Sequence, residues 1–275
     1  MQRAMNTRPI PSCGALLPVI GCGTWLGFDV GGKPSEMPQR GQVLEALFQA
    51  GGSVIDSSPM YGSAEQVTGD LLQASGARGK SFIATKVWAT GKREGIAQME
   101  RSFKLLRTDH IDLMQIHNLV DWRTHLATLR EWKAQGRFSC IGITHYTESA
   151  HAELEQVMRA ERLDFVQLNY SMLDRAAEKR LLPLAAERGM AVLVNKPLGA
   201  GKDIAALRAR ALPAWSVDIG CSSWSQVLLK FVLSHPAVTC AIPGTSNPAH
   251  MRDNAQAGSG LIPEPAFWRG KLPAL

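Results

Sequence analysis

Short apolar runs recur along the chain and alternate with longer stretches in which apolar residues return every three or four positions. The runs at 18–22, 53–56, 81–85, 111–117, 138–143, 164–168, 191–194 and 238–242 each predict a buried strand. Amphipathic stretches near 39–50, 64–74, 94–106, 124–134, 148–160, 176–188, 223–234 and 248–257 predict the helices between them. Strict alternation of this kind argues for βαβ units and a parallel sheet. Eight units without a Gly-x-Gly-x-x-Gly fingerprint predict a closed (β/α)8 TIM barrel rather than an open dinucleotide-binding sheet.

The residues between the runs agree with that division. Ser63 with Gln66 three positions on predicts a capping box at the start of the second helix. Asn247-Pro248 predicts a capping amide followed by proline in the first turn of the last helix. Gly51-Gly52, Gly136 and Gly189 are expected to stop the helices before the second, fifth and seventh strands. The segment from Pro9 to Pro18, with Cys13-Gly14 at its middle, reads as an N-terminal β-hairpin. Residues 199–222 form a connection too long to be ordinary, and 258–275 lack periodicity and read as an extended C-terminal tail. No repeat or second domain is apparent, so residues 1–275 are expected to form one barrel domain.

Polar residues close several of the apolar runs. Asp56 ends Ser-Val-Ile, Tyr61 follows five residues later, Lys86 ends Phe-Ile-Ala-Thr, and His117 ends Leu-Met-Gln-Ile. Chemistry in a parallel barrel is done at the C-terminal strand ends, where these residues fall. A phenol alone is a poor acid at neutral pH, with a pKa of about 10. A nearby ammonium lowers that value, and a carboxylate keeps the ammonium charged. Asp56, Tyr61 and Lys86 can therefore form one tuned general acid, with a neutral His117 donating a hydrogen bond to the reacting oxygen. A Schiff-base role for Lys86 is the rival chemistry.

Composition narrows the picture little. The chain has 275 residues, 45% hydrophobic and 20% charged, and a net charge of +6. Its basic residues are dispersed, with at most pairs such as Arg78/Lys80, Lys92/Arg93 and Arg208/Arg210 and no interleaved aromatics, which argues against a nucleic-acid partner. The five cysteines (13, 22, 140, 221 and 240) have neither disulfide-framework nor zinc spacing; Cys22, Cys140 and Cys240 read as core residues. No metal site is expected. His110, His125, His151 and His235 fall on or beside helices and read as solvated. The first residues, Met-Gln-Arg-Ala-Met-Asn-Thr-Arg, lack a signal-peptide core, and no run is long enough to span a membrane. A cytoplasmic monomer or weak homo-oligomer acting on a small molecule is expected.

Several of these segments resemble the aldo-keto reductase family. They are Gly-Cys-Gly-Thr-Trp (21–25), Asp-Ser-Ser-Pro-Met-Tyr-Gly-Ser-Ala-Glu (56–65), Ala-Thr-Lys-Val-Trp (84–88) and Leu-Met-Gln-Ile-His (113–117). Gly-Arg-Phe-Ser-Cys-Ile-Gly-Ile-Thr (136–144), Val-Gln-Leu-Asn-Tyr (166–170), Lys-Pro-Leu-Gly (196–199) and Ala-Ile-Pro-Gly-Thr-Ser-Asn-Pro (241–248) follow in the family's order. The resemblance spans about residues 18–257. It implies a hairpin that plugs the barrel floor and reduction of aldehydes or ketones with NADP, NAD being possible. A catalytically weak NADP-binding regulatory protein of the same fold is the alternative.

The resemblance also implies a cofactor site. Gly23, Thr24, Trp25 and Asp56 would approach the dinucleotide, with Thr144, His145 and Gln167 at the nicotinamide amide and Asn195 beneath its ring. Leu198, Gly199, Ala200, Gly201 and Lys202 would wrap the pyrophosphate, with Lys202 supplying charge, and Lys196 and Pro197 would be further cofactor contacts. Ile242, Gly244, Thr245, Ser246 and His250 would border a 2′-phosphate at the start of the last helix, with Asp253 and Asn254 toward the adenine. Asn195 stands where many relatives have a Tyr, Gly244 where many have a Lys, and His250 where an Arg is common. Trp25, Tyr61, Trp88, His117, Asn118 and Trp122 would line a fairly open substrate pocket.

Overall fold

The computed structural model describes residues 4–31 and 33–271. Met1, Gln2, Arg3 and the last four positions of the expected tail lie outside the described residues. Two short strands, β1 (Thr7–Pro9) and β2 (Leu16–Pro18), pair antiparallel as the expected hairpin. Eight further strands follow: β3 (Cys22–Gly23), β4 (Val54–Asp56), β5 (Phe82–Val87), β6 (Ile111–His117), β7 (Phe138–His145), β8 (Phe165–Asn169), β9 (Ala191–Asn195) and β10 (Cys240–Ala241). They pair in sequence order, all parallel. Parallel bridges Ile20–Ala241 and Gly23–Gly244 join the first edge to the last, so the sheet closes into the (β/α)8 barrel.

The helices are α1 (Met37–Gln49), α2 (Ala64–Ser75), α3 (Lys92–Leu105), α4 (Trp122–Ala134), α5 (His151–Ala160), α6 (Leu181–Glu187), α7 (Lys202–Leu207), α8 (Trp224–Ser234) and α9 (Pro248–Gln256). Their inward faces meet the outward residues of the strands in one apolar layer that includes Val43, Leu47, Ile83, Ile116, Val166 and Leu229. A second cluster fills the barrel itself, with Val54, Leu113, Cys140, Phe165 and Leu193 pointing inward. Ile10 and Leu17 of the hairpin, both 2% exposed, join that inner cluster and close the floor. The barrel axis is therefore apolar at its base, which leaves the opposite strand ends as the polar face.

Several expectations hold. Gly51, Gly136 and Gly189 have φ of 88°, 76° and 65°, the left-handed geometry that ends a helix. The Asn247 side chain accepts the Ala249 N–H at 2.8 Å and Pro248 opens α9. Cys22, Cys140 and Cys240 are buried.

Others are corrected. The run expected as a first strand at 18–22 is divided: Pro18 ends the hairpin, and the barrel strand proper begins at Cys22. Helix α5 starts at His151 and α6 at Leu181, each preceded by a 3-10 turn rather than by regular helix from 148 or 176. The capping box does not form. Ser63 Oγ donates to Asp29 Oδ1 at 2.8 Å, and Gln66 donates instead to Asp70, one turn on. The 199–222 connection holds α7 and two 3-10 turns. The tail is partly built in: Ser259 bridges to Met5, and Trp268 is buried and donates to Ser234 Oγ at 2.6 Å. His125 is buried, not solvated, and hydrogen-bonds the Ala89 carbonyl. His110 is held by Gly136 O and Ser139 Oγ at 2.9 and 2.8 Å.

Candidate active site

Asp56, Lys86 and His117 are the last or near-last residues of three adjacent strands, β4, β5 and β6, and all point into the upper barrel. Lys86 Nζ donates to Asp56 Oδ1 and Oδ2 at 2.9 and 2.8 Å and to the Ser57 carbonyl at 2.7 Å. Both side chains are buried, Lys86 at 1% and Asp56 at 2% exposure. Burial, the largest single influence, lowers the Lys86 ammonium, but the charge and hydrogen bonds of Asp56 together with Tyr61 and Glu65 outweigh it, and the group is held above its ordinary value. Lys86 is thus a fixed cation.

Tyr61 lies in the turn after β4, where its N–H donates to the Ser58 carbonyl at 3.0 Å. The Lys86 ammonium is 5.2 Å from the Tyr61 ring centroid. His117 meets the same ring edge-on, 5.9 Å between centroids. The phenol does not have the lowered pKa expected of it. Burial pushes it above its usual value; Lys86 pulls it partly back, and Asp56 pushes it up again. At neutral pH Tyr61 therefore carries its proton. Burial and the nearby Lys86 charge depress the His117 imidazole to about 3, so the ring is neutral.

A layer of amides lies against this cluster. Gln167 Nε2 donates to Asp56 Oδ2 at 3.1 Å and to Asn195 Oδ1 at 2.6 Å, while its Oε1 accepts from Gln115 Nε2 at 2.6 Å. Gln167 is fully buried, so its amide is engaged inside the barrel. Three residues of this neighbourhood were not read from the sequence. Gln115 occupies the β6 position opposite Lys86. Ser58 Oγ lies 3.0 Å from His117 Nδ1. Glu65, buried on the helix side of β5, accepts from Thr85 Oγ1 at 2.6 Å and Ser102 Oγ at 3.1 Å, and burial pushes its carboxyl up. All three fall within the segments 56–65 and 113–117, where Gln115 and Glu65 are polar residues inside an apolar and a helical pattern and Ser58 is one of several polar residues in a turn.

Several of the residues expected to hold a dinucleotide end or follow strands at the same end of the barrel, among them Gly23, Thr24, Thr144, His145, Lys196 and Gly244. Gly23 and Gly244 pass so closely that a Cβ on Gly244 would stand 3.1 Å from the Gly23 carbonyl oxygen. Thr24 is buried, and its hydroxyl donates to the Asp56 carbonyl at 3.0 Å. Thr144 and His145 end β7; Thr144 is buried, and the His145 ring stacks on Tyr146. Lys196 takes φ of 45° after β9 and places its ammonium 4.6 Å from the Tyr146 ring centroid. Pro197 is buried, Leu198 packs on the helix layer, and Gly199, Gly201 and Lys202 lead into α7.

At the start of α9 the expected free donors are fewer. Pro248 has no N–H, Ala249 N–H is taken by the Asn247 cap, and Asn247 N–H donates to Thr245 Oγ1 at 3.0 Å. Ser246 is half-buried and His250 and Arg252 are exposed. Asp253 faces α8 instead, accepting from Ser223 Oγ at 2.7 Å and Gln226 Nε2 at 2.6 Å. Asn254 and Ile242 are buried at 4% and 5% exposure.

Around the mouth, Trp25 and Trp88 are 50% and 42% exposed, so neither is a core aromatic. Trp122 is half-buried under the Arg123 guanidinium, 4.3 Å from its ring centroid. Asn118 takes φ of 52°, and its buried Oδ1 has no hydrogen-bond partner among the described residues. Among the described residues no group of His, Cys, Asp and Glu could hold a metal, and no helix is long and apolar enough to cross a membrane.

Known proteins place this arrangement. Residues 19–203 match the sequence profile of the Aldo/keto reductase family. The chain is 32% identical to the methylglyoxal reductase YeaE of Escherichia coli (strain K12), over 87% of this chain and 84% of that protein. It is 24% identical to the NADH-specific methylglyoxal reductase of the same organism, over 92% and 93% of the two chains. An aldo/keto reductase from Klebsiella pneumoniae, solved with NADP and acetate, superimposes with a TM-score of 0.79 at 25% identity, over 95% of this chain and 90% of that one. With two thirds of its length inside the profile and its strand-end residues in order, the chain belongs to the aldo-keto reductase family.

Proposed function

We propose that the protein reduces an aldehyde or ketone carbonyl to an alcohol with a nicotinamide cofactor, with Tyr61 as the proton donor. The single observation that carries this reading is the meeting of a protonated phenol, a fixed ammonium and a neutral imidazole at one end of the barrel. When bound, the nicotinamide supplies the hydride that the carbonyl carbon receives. The negative charge that develops on oxygen needs a proton and hydrogen-bond donors in place beforehand. Tyr61 gives the proton from its hydroxyl. Lys86, held by Asp56 and the Ser57 carbonyl, stabilises the phenolate left behind. His117, being neutral, donates one N–H to the oxygen without competing for the proton. The same enclosure disfavours Schiff-base chemistry, because Lys86 stays an ammonium with its hydrogens engaged.

The cofactor's fit rests on the protein's own geometry. Gly23 and Gly244 have no side chain where two loops meet, and Gly199 and Gly201, at φ of 59° and 89°, bend the backbone before α7. Lys196 and Lys202 supply charge for a pyrophosphate. Asn195, whose Oδ1 accepts from Gln167 Nε2, would lie under the nicotinamide and offer it an amide rather than an aromatic face. For a 2′-phosphate the start of α9 offers the hydroxyl of Ser246 and the cation of Arg252, with few free backbone donors. NADP is accordingly the preferred cofactor, with NAD also accepted. The exposed Trp25 and Trp88 make an open, aromatic mouth suited to small carbonyls. Relatives named as methylglyoxal reductases make a 2-oxoaldehyde the first compound to assay.

The test is absorbance-monitored oxidation of NADPH, and of NADH in parallel, against methylglyoxal, simple aldehydes and ketones. Carbonyl-dependent oxidation with NADPH favoured is the expected result. Tight NADPH binding without turnover across the whole panel would overturn the reading.

A further inference from the structure

Ser58 stands between the two residues assigned to the reacting oxygen. Its carbonyl accepts the Tyr61 N–H at 3.0 Å, and its hydroxyl lies 3.0 Å from His117 Nδ1. The residue is 0% exposed, so bulk water does not compete for either contact. A buried hydroxyl needs an acceptor for its hydrogen. Among the described residues, His117 Nδ1 is the only hydrogen-bond partner of Ser58 Oγ. If Nδ1 carried the proton and donated to Ser58, the hydroxyl hydrogen would have nowhere to go. If Ser58 donates, both its hydroxyl and His117 Nδ1 are satisfied, and the ring hydrogen sits on Nε2, which has no partner among the described residues.

We propose that Ser58 is a positioning residue: its hydroxyl donates to His117 Nδ1, fixes the ring as the Nε2–H tautomer, and so aims that N–H at the substrate's carbonyl oxygen. This rests on the reading of His117 as a hydrogen-bond donor in carbonyl reduction. The neutrality of His117 removes the one state in which tautomers would not matter, since an imidazolium donates from both nitrogens. Nε2 makes no hydrogen bond to any described residue, so it is the edge open to a ligand. Through its carbonyl, the same serine also sets the start of the turn that carries Tyr61. One residue between Asp56 and Tyr61 thus fixes both the donor's backbone and the ring's proton.

The experiment is 15N NMR of histidine-labelled protein, with His117 assigned by comparison with a His117→Gln sample. Turnover of the wild type, Ser58→Ala and Ser58→Thr is measured alongside. The expected wild-type spectrum has the His117 proton on Nε2 across pH 6–8. Ser58→Ala should give a mixture of tautomers and lower kcat on the order of tenfold to a hundredfold, the range for loss of a group that orients a catalytic ligand. The KM for cofactor should stay within about twofold, as for an interaction made only in the transition state. Ser58→Thr, which keeps the hydroxyl, should restore the single tautomer and most of the turnover. A wild-type His117 protonated on Nδ1, or a tautomer unchanged in Ser58→Ala, overturns the proposal whether or not the variants fold well. A tautomer that shifts in Ser58→Ala with kcat unaltered supports Ser58's hold on the ring and instead contradicts the role given to His117.

Discussion

Lys86 Nζ donates to both carboxylate oxygens of Asp56, at 2.9 and 2.8 Å, inside a barrel that hides both side chains from water. A pair placed this way is an electrostatic fixture. Removing one partner strands the other in a low-dielectric site, which typically costs about 3–5 kcal/mol. Removing both leaves no orphaned charge.

Lys86→Met should therefore lose both activity and stability, whereas Asp56→Asn/Lys86→Met should melt higher than Lys86→Met while staying inactive. Thermal melts of the single and double variants check the pair's stability role separately from its chemistry. Equal melting temperatures for Lys86→Met and the double variant would mean that Asp56 is not left stranded.

The pH dependence follows from the same geometry. With Tyr61 as the proposed proton donor, reduction needs the protonated phenol, and burial holds that phenol above its usual value. Reduction should thus be level through neutral pH and decline only at alkaline pH, with no break from His117 between pH 5 and 8, since that ring is depressed to about 3. Lys86 favours the phenolate, so any residual activity of Lys86→Met should show its alkaline decline at higher pH than the wild type. A pH–rate profile under saturating cofactor reads both effects.

Cofactor choice turns on the start of α9. His250 is exposed and can be exchanged for Arg without repacking, adding a cation where few backbone donors remain free. His250→Arg should raise the NADPH-to-NADH ratio of kcat/KM, and the gain should shrink as salt rises, because exposed charges are screened. Gly244→Lys is the weaker variant, since its Cβ would stand 3.1 Å from the Gly23 carbonyl oxygen and that strand end must give way. Catalytic efficiencies for both cofactors at two ionic strengths decide the matter.

Gly69 offers a stability test far from the chemistry. In an ordinary exposed helix interior, Gly→Ala stabilises by about 1 kcal/mol. Here α2 crosses the end of α3 so closely that a Cβ on Gly69 would overlap the Leu105 carbonyl oxygen. Gly69→Ala should instead destabilise, by about 1–3 kcal/mol as overpacking does, as read from chemical denaturation.

The barrel and the Asp56–Lys86–His117 set were legible because each depends on local pattern: apolar strands read as runs, and polar residues at their ends stand out. What escaped depends on partners distant in the chain. Ser63 answers to Asp29, thirty-four positions upstream, rather than to Gln66. His125 reads as a surface residue of α4, yet it is buried because Gly95 on α3 leaves room where any side chain would meet its ring. Gln167 and Asp253 are polar residues at plausible cofactor positions, and only the packing of β8 on its neighbours and of α9 on α8 reveals the partners they hold. The pKa of Tyr61 escaped for a similar reason. Spacing placed a cation nearby, but the amount of burial is a property of the closed fold.

The central claim is that Tyr61 delivers the proton, and Tyr61→Phe tests it most directly. The variant keeps the ring against His117 and Lys86 and removes only the hydroxyl. With a carbonyl that the wild type reduces, NADPH oxidation should fall by roughly 10²–10⁴-fold, the usual contribution of a general acid. Binding of NADPH, followed by fluorescence titration, should be largely unchanged. Retention of more than about a tenth of wild-type turnover, well short of that range, would contradict the account and show that the proton comes from elsewhere.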